Sequence, residues 1–232
     1  MGDAWRLATG TLTALPVRPP ERIDRGTARG AMLLAPLAVL PLGALVAALL
    51  WLGALASLPS LAVAFVAVGA LAAGSRALHW DGLSDVADGL TASYDRERSL
   101  AVMKTGTSGP AGVTATVVVA GVQAAALTAY VDTGALPLLA GALVCLSRCA
   151  LWIVCCTRVP AARADGLGVT YTSTVPVPVA ALGGLLLSVT GGLVVLALVR
   201  RATARFGGVT GDVFGAAIEL ALATTLLTWA WL

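Results

Sequence analysis

The sequence is short of charge. Asp, Glu, Lys and Arg together make up 12% of its 232 residues, about half the share of a soluble domain. Hydrophobic residues make up 58% and the mean hydropathy is +0.91, which suits lipid rather than water. Histidine occurs once, as His79, and the four cysteines form no C-x-x-C pair, so the imidazole and thiolate ligands that zinc prefers are missing. Cys145 and Cys149, one helical turn apart, and the neighbouring Cys155 and Cys156 read as small buried hydrophobes in a reducing compartment. No internal repeat of the transporter kind is visible. No signal peptide is expected, because the apolar stretch 7–17 is short, is broken by Thr, Gly and Pro, and precedes no cleavage site. That stretch is predicted instead as an amphipathic surface helix with Trp5, Leu12 and Leu15 towards lipid.

What is present is a series of apolar runs long enough to cross a bilayer, which takes roughly 20 residues of helix. Spans are predicted at 31–56, 58–75, 111–131, 135–157, 176–199 and 213–232. The expected fold is therefore all-α: a single membrane-embedded domain over 1–232, with about six or seven transmembrane or re-entrant helices. Chemistry falls to the polar segments 1–30, 76–110, 158–175 and 200–212. Arg6, Arg18, Arg22, Arg25 and Arg29 precede the first span. Arg76, Arg96, Arg98 and Lys104 lie in the second polar segment, and Arg158 and Arg163 in the third. The turns near Pro59 and Asp132 carry no Lys or Arg. The positive-inside rule then puts the polar segments on the cytoplasmic side of the cell (inner) membrane. Arg200, Arg201 and Arg205 fit only if 175–199 folds back at Thr190-Gly191-Gly192 as a shallow or re-entrant hairpin.

The stretch "LHWDGLSDVADGLTAS" (78–93) follows an apolar run that has no charge. On a helix, Asp81, Asp85 and Asp88 project at about 0°, 40° and −20°, so all three share a face. Three carboxylates at a membrane boundary repel one another unless a cation neutralises them. An all-oxygen cluster suits Mg²⁺ or Mn²⁺. A solvated helix face would explain one such aspartate better than three. Gly82 and Gly89, each following an Asp, are read as clearing space for a metal-bound phosphate. Downstream, Arg96, Arg98 and Lys104 are candidate phosphate ligands or ordinary positive-inside anchors. "TGTSGPAG" (105–112) is a turn whose N–H groups could face an anion, leading into a helix near Pro110. His79 is read as packed or supporting rather than as a ligand.

Near the end, "GGVTGDVFGAAIEL" (207–220) places Asp212 and Glu219 seven residues apart, on one helix face. Asp212 alone could be a helix cap. Glu219 would lie inside the last span, where a carboxylate needs a partner. A metal, a substrate hydroxyl or an arginine such as Arg148 could serve.

"HWDGLSDVADGL" with R-x-R, "VMK", the Gly-rich turn and "GGVTGDVFGAAIEL" resembles the cobalamin synthase family. The similarity runs from "LTALPV" near the start through "ARADGLG" (162–168) to the end. The resemblance implies a Mg²⁺-dependent membrane transferase of vitamin B12 assembly. Such an enzyme joins adenosylcobinamide-GDP to α-ribazole, or its 5′-phosphate, and releases GMP. It also implies catalytic roles for Asp81, Asp85, Asp88 and Glu219, with the first three holding the metal. Gly82, Gly89, Arg96, Arg98, Lys104 and Asp212 would bind substrate. The chain departs from the family at Thr105, Gly106 and Thr107, where an acidic residue is usual. Expected partners are these small molecules and the bilayer, with no nucleic acid; assembly as a homo-oligomer stays open. Two rivals remain. A CDP-alcohol phosphotransferase has a signature beginning D-G-x-x-A-R, whereas Asp81-Gly82 is followed here by Leu83, Ser84, Asp85 and Val86. An ion-coupled transporter usually carries its carboxylates mid-span rather than at a boundary beside basic residues.

Overall fold

A computed structural model describes residues 2–164 and 166–231. The elements in chain order are α1 (Gly2–Leu12), α2 (Arg25–Ala38), α3 (Leu40–Leu55), α4 (Ser60–Gly74), α5 (Leu78–Ala92), α6 (Arg96–Val102) and α7 (Pro110–Leu127), then α8 (Leu136–Leu146), α9 (Ala150–Val154), α10 (Leu167–Tyr171), α11 (Val177–Leu186), α12 (Thr190–Phe206) and α13 (Gly211–Trp231). No β-strand occurs among the described residues, only the isolated bridges Cys156–Val175 and Ala161–Val209.

Four helical stretches are long and apolar enough to cross a bilayer: Arg25–Leu55, Pro110–Tyr130, Leu136–Val154 and Gly211–Trp231. They cover the spans expected at 31–56, 111–131, 135–157 and 213–232. The other two expected spans do not form single long helices. The run expected at 58–75 forms α4, which has 15 residues and is therefore only about 22 Å long. The chain then turns by 92° into α5. Arg76 and Ala77 take left-handed backbone angles at that turn (φ 56° and 55°), unusual for residues other than glycine.

The segment 175–199 breaks, as expected of a hairpin, but not at the glycines. Ser188 and Val189 carry the positive φ values. Gly191 and Gly192 lie inside α12, and a Cβ on Gly192 would meet the Gly184 carbonyl oxygen at 2.6 Å. Gly184 and Gly192 let α11 and α12 touch backbone to backbone, whereas Gly191 faces Thr225 of α13. The hairpin is also deep rather than shallow. Its turn reaches the far end of α13, where Trp229 Nε1 donates to Ser188 Oγ at 2.6 Å and the hydroxyls of Thr190 and Thr228 lie 3.0 Å apart.

All four polar segments gather at the opposite end. Arg25 donates to the Ser173 carbonyl, Arg76 to Gly10, Arg96 to Ala162 and Arg163 to Leu100. Arg205 donates to the Ser93 carbonyl and stacks 4.7 Å above the Tyr94 ring. Asp165, in the stretch similar to the family, lies outside the described residues.

Small residues set the packing between spans. A Cβ on Gly43 of α3 would sit 2.5 Å from the Gly141 carbonyl oxygen of α8, and the converse distance is the same. Close approach of this kind maximises dispersion where lipid supplies no hydrophobic drive between helices. Large apolar side chains such as Leu52, Phe65, Val117 and Leu138 point outward. The four cysteines are free and buried. One expectation for α1 fails: Trp5 and Leu15 are exposed, but Leu12 is buried in the core. Gly43→Ala should destabilise the detergent-solubilised protein by about 1–3 kcal/mol through overpacking. Gly69→Ala, which meets nothing within 4 Å, should be neutral or slightly stabilising in the same thermal-unfolding assay.

Candidate active site

The bend after α4 lays α5 across the polar end of the bundle. His79, Trp80, Leu83 and Val86 face inward and are buried, whereas Asp81 is exposed and Asp85 half-buried. α5 then meets α13 at unusually short range. A Cβ on Gly82 would lie 2.6 Å from the Asp212 carbonyl oxygen, and one on Gly215 would lie 2.8 Å from His79 Cα. Each helix thus presents a glycine to the other's backbone. The crossing brings Asp212, whose Oδ2 accepts the Thr210 hydroxyl at 3.0 Å, to the side of α5 that carries Asp81 and Asp85.

Asp85 records the result electrostatically. α5 lies outside the four unbroken candidate spans, past the 92° bend of the α4–α5 pair that would make a fifth, broken one. Burial, followed by repulsion from Asp81, Asp212 and Asp88, pushes the Asp85 carboxyl up to about 7, with Arg163 the opposing cation. Arg163 donates to the Leu100 carbonyl at 2.6 Å and shares with Asp212 the lining of a cavity of about 150 Å³. The sequence reading counts Arg163 only as a topological charge, because nothing local links it to the aspartates.

Asp88 does something else. It is buried, and its two oxygens accept the N–H groups of Gly109 at 2.6 Å and Gly112 at 2.8 Å. The turn before α7 does bind an anion at a helix N-terminus, as its glycines suggest, and that anion is the chain's own Asp88. Ser84 Oγ donates to Ser108 Oγ at 3.0 Å beside it.

The glycines expected to admit substrate are filled from within. Gly82 faces Asp212, and Gly89 faces the side chains of Met103 and Phe206. Arg96 ties α6 to the Ala162 carbonyl at 2.7 Å, with its guanidinium against Gly207. Arg98 and Lys104 are exposed.

Glu219 lies inside the bundle, away from the aspartate face. Its Oε2 accepts from Gln123 Nε2 at 2.8 Å, and its Oε1 lies 3.4 Å from His79 Nδ1, long for a hydrogen bond. Gln123 was missed in the sequence. Arg148 is fully buried, donates to the Val144 carbonyl at 2.8 Å and to Ser147 Oγ at 2.9 Å, and meets Glu219 through its charge rather than through a hydrogen bond.

Among the described residues no three Asp, Glu, His or Cys side chains enclose a metal unaided. Magnesium does not require that: it is commonly held by one or two carboxylates, with water and substrate phosphates completing its shell. Asp81, Asp85 and Asp212 offer oxygen ligands and an excess of negative charge, which fits such an ion. A second cavity, also about 150 Å³, lies on the other side of Asp212 and is lined mainly by apolar groups. Larger grooves, such as one of about 530 Å³ between α3 and α4, are lined by aliphatic side chains at the lipid-facing surface and lie away from these carboxylates.

The model of the cobalamin-5-phosphate synthase family matches residues 4–230. The chain belongs to that family. It is 76% identical to an adenosylcobinamide-GDP ribazoletransferase of Nocardioides sp. (strain ATCC BAA-499 / JS614), with 99% of each chain covered. It is 37% identical to the enzyme of that name from Frankia casuarinae, covering 97% of this chain and 93% of that one. It is also 37% identical to the one from Pseudomonas paraeruginosa, covering 94% of each. No solved structure matches it.

Asp85→Asn should separate the charge of this face from its shape. The parent carboxyl titrates near 7 when folded and near 3.8 when unfolded. The folded parent therefore holds a proton that the unfolded chain has lost, and its stability falls as pH rises through that window. In metal-free detergent solution the Asn variant should gain melting temperature over the parent progressively from about pH 4 to 7, and keep a constant gain above it. A gain that ignores pH would show that neither burial nor the neighbouring carboxylates raise Asp85 in the fold.

Proposed function

We propose that this chain transfers the adenosylcobinamide-phosphate group of adenosylcobinamide-GDP to α-ribazole, or to its 5′-phosphate. The reading rests on family membership, and the observation that carries it is the α5–α13 crossing. That crossing unites Asp81, Asp85 and Asp212 at the polar end of a membrane bundle with Arg163 beside them. Such a face suits displacement at a pyrophosphate, where positioning and charge neutralisation do most of the work.

A ribose hydroxyl of the acceptor attacks the phosphorus attached to the cobinamide. The new P–O bond forms as the bond to the GMP oxygen breaks, GMP leaves with that electron pair, and the hydroxyl proton passes to a carboxylate of the same face. Mg²⁺ is the proposed cofactor; one or two of Asp81, Asp85 and Asp212 would hold it, with water and substrate phosphates completing its shell, and it would supply neutralisation of the pyrophosphate oxygens. Arg163, in the cavity it shares with the α13 N-terminus, is the proposed ligand of phosphate oxygens, and the exposed Arg98 and Lys104 are further candidates. Asp88 orients the α7 entry rather than touching the metal, and Glu219 positions α13 against α5 and α7. The active face is assigned to the cytoplasm at the cell membrane because the arginine-rich segments share one end of the bundle. The departures at 105–107 leave that turn without a carboxylate role.

Liposomes containing the protein should release GMP from adenosylcobinamide-GDP only when α-ribazole and a divalent cation are both supplied, and EDTA should abolish release. Full turnover in chelated, metal-free liposomes would remove the metal from the reading. Asp81→Asn and Asp85→Asn should each lower kcat by roughly 10²–10³-fold, comparable to losing an electrostatic stabiliser elsewhere. Asp88→Ala strands two N–H groups and should instead cost about 1–3 kcal/mol of stability, seen as a lower melting temperature and faster proteolysis near residues 103–109.

A further inference from the structure

Asp212 separates two small cavities of opposite character. One contains Arg163, Gly166 and Gly168 near α10, and Gly211 at the α13 entry. The other, on the His79 side, has Asp81 and Asp212 in its lining and is otherwise mostly apolar. Its apolar lining includes Leu12, Met32, Leu151 and Ile218, all buried. Tyr171 and Phe214 add two rings, with centroids 6.2 Å apart and planes at 71°. The Tyr171 hydroxyl is buried, and its one contact among the described residues is Thr11 Oγ1 at 3.5 Å, too long to satisfy it well.

We propose that this second cavity seats the benzimidazole base of the acceptor nucleoside, so that its ribose emerges at Asp81 and Asp212. The assignment rests on α-ribazole being the acceptor. Three rigid groups could seek a pocket here. A corrin macrocycle far exceeds a space of about 150 Å³. Guanine carries polar groups around both rings; Asp81, Asp212, Thr11 and Tyr171 could pair some of them, and the aliphatic part of the lining leaves the rest unpaired at a cost of about 1–3 kcal/mol each. A dimethylated benzimidazole presents apolar edges and faces, which match the aliphatic and aromatic lining. Its one unsubstituted ring nitrogen accepts a single hydrogen bond, and the Tyr171 hydroxyl is an under-used donor. The acceptor would then approach from the apolar side of Asp212 while the phosphates of the donor lie on the Arg163 side.

The test is initial-rate kinetics with both substrates varied. Leu78→Trp alters a half-exposed wall residue and crowds the cavity, whereas Tyr171→Phe removes only the donor. Each should raise the KM for α-ribazole about tenfold while the KM for adenosylcobinamide-GDP stays within about twofold. Unmethylated benzimidazole riboside should lose less than α-ribazole in Leu78→Trp. A rise confined to the KM for adenosylcobinamide-GDP, an equal rise in both, or no rise in either would overturn the assignment. Should the parent protein transfer nothing, the reaction reading fails by itself. Binding of α-ribazole, followed by its benzimidazole fluorescence, then decides the cavity: tight binding weakened by both variants supports it, and binding unchanged by both, or absent from the parent, overturns it. Tyr171→Phe keeps the parent's shape, so the assignment stays exposed to failure even if Leu78→Trp does not fold.

Discussion

The backbone contact between α5 and α13 is the constraint on which the rest of the site depends. Gly82 and Gly215 each stand where a Cβ would collide with the other helix's main chain. Main chain cannot step aside as a flexible side chain can, so the crossing tolerates little but glycine. The crossing in turn fixes where Asp212 stands relative to Asp81 and Asp85. Its reach comes from the 92° bend after α4, without which α5 would continue into the bilayer and carry its aspartates with it. The strained turn at Arg76 and Ala77 is the local cost of keeping those carboxylates at the polar end.

The chain handles its carboxylates in two opposite ways. Asp88 and Glu219 are buried and satisfied, the first by two N–H groups at a helix start and the second by Gln123. Asp81, Asp85 and Asp212 crowd together with less compensation; burial first, and then this crowding, push the Asp85 carboxyl up to about 7. Buried polar groups without partners cost several kcal/mol in hydrocarbon. The satisfied pair therefore stabilises the scaffold, whereas the crowded three keep their capacity for a cation.

Much of the helical framework is legible in the sequence, because long apolar runs and their breaks are local signals. The α7 start at Pro110, the break in 175–199 and the shared face of Asp81 and Asp85 all come from patterns within a few turns of chain. What is not legible depends on distant pairing. Asp88 projects with Asp81 and Asp85 on a helical wheel, yet its partners are 21 and 24 residues away. Glu219 finds Gln123 at a separation of 96 residues. Glycines mislead for the same reason: a missing Cβ signals close approach, but not whether a substrate or another helix approaches. At Gly82, Gly89, Gly191 and Gly192 the visitor is the protein itself.

Placing Asp212 on a different helix from Asp81 and Asp85 makes the acidic face a product of tertiary packing. A cluster carried by one helix would exist in any state that preserves that helix. This one exists only when α5 lies across the polar end and α13 passes beneath it, with His79, Gln123 and Glu219 meeting at the same junction. The acidic face thus depends on the packing of the apolar spans and on the ties between the polar segments through Arg96, Arg163 and Arg205. An incomplete bundle would leave Asp212 apart from Asp81 and Asp85, free of the repulsion that folding imposes between them and without the two cavities that it lines.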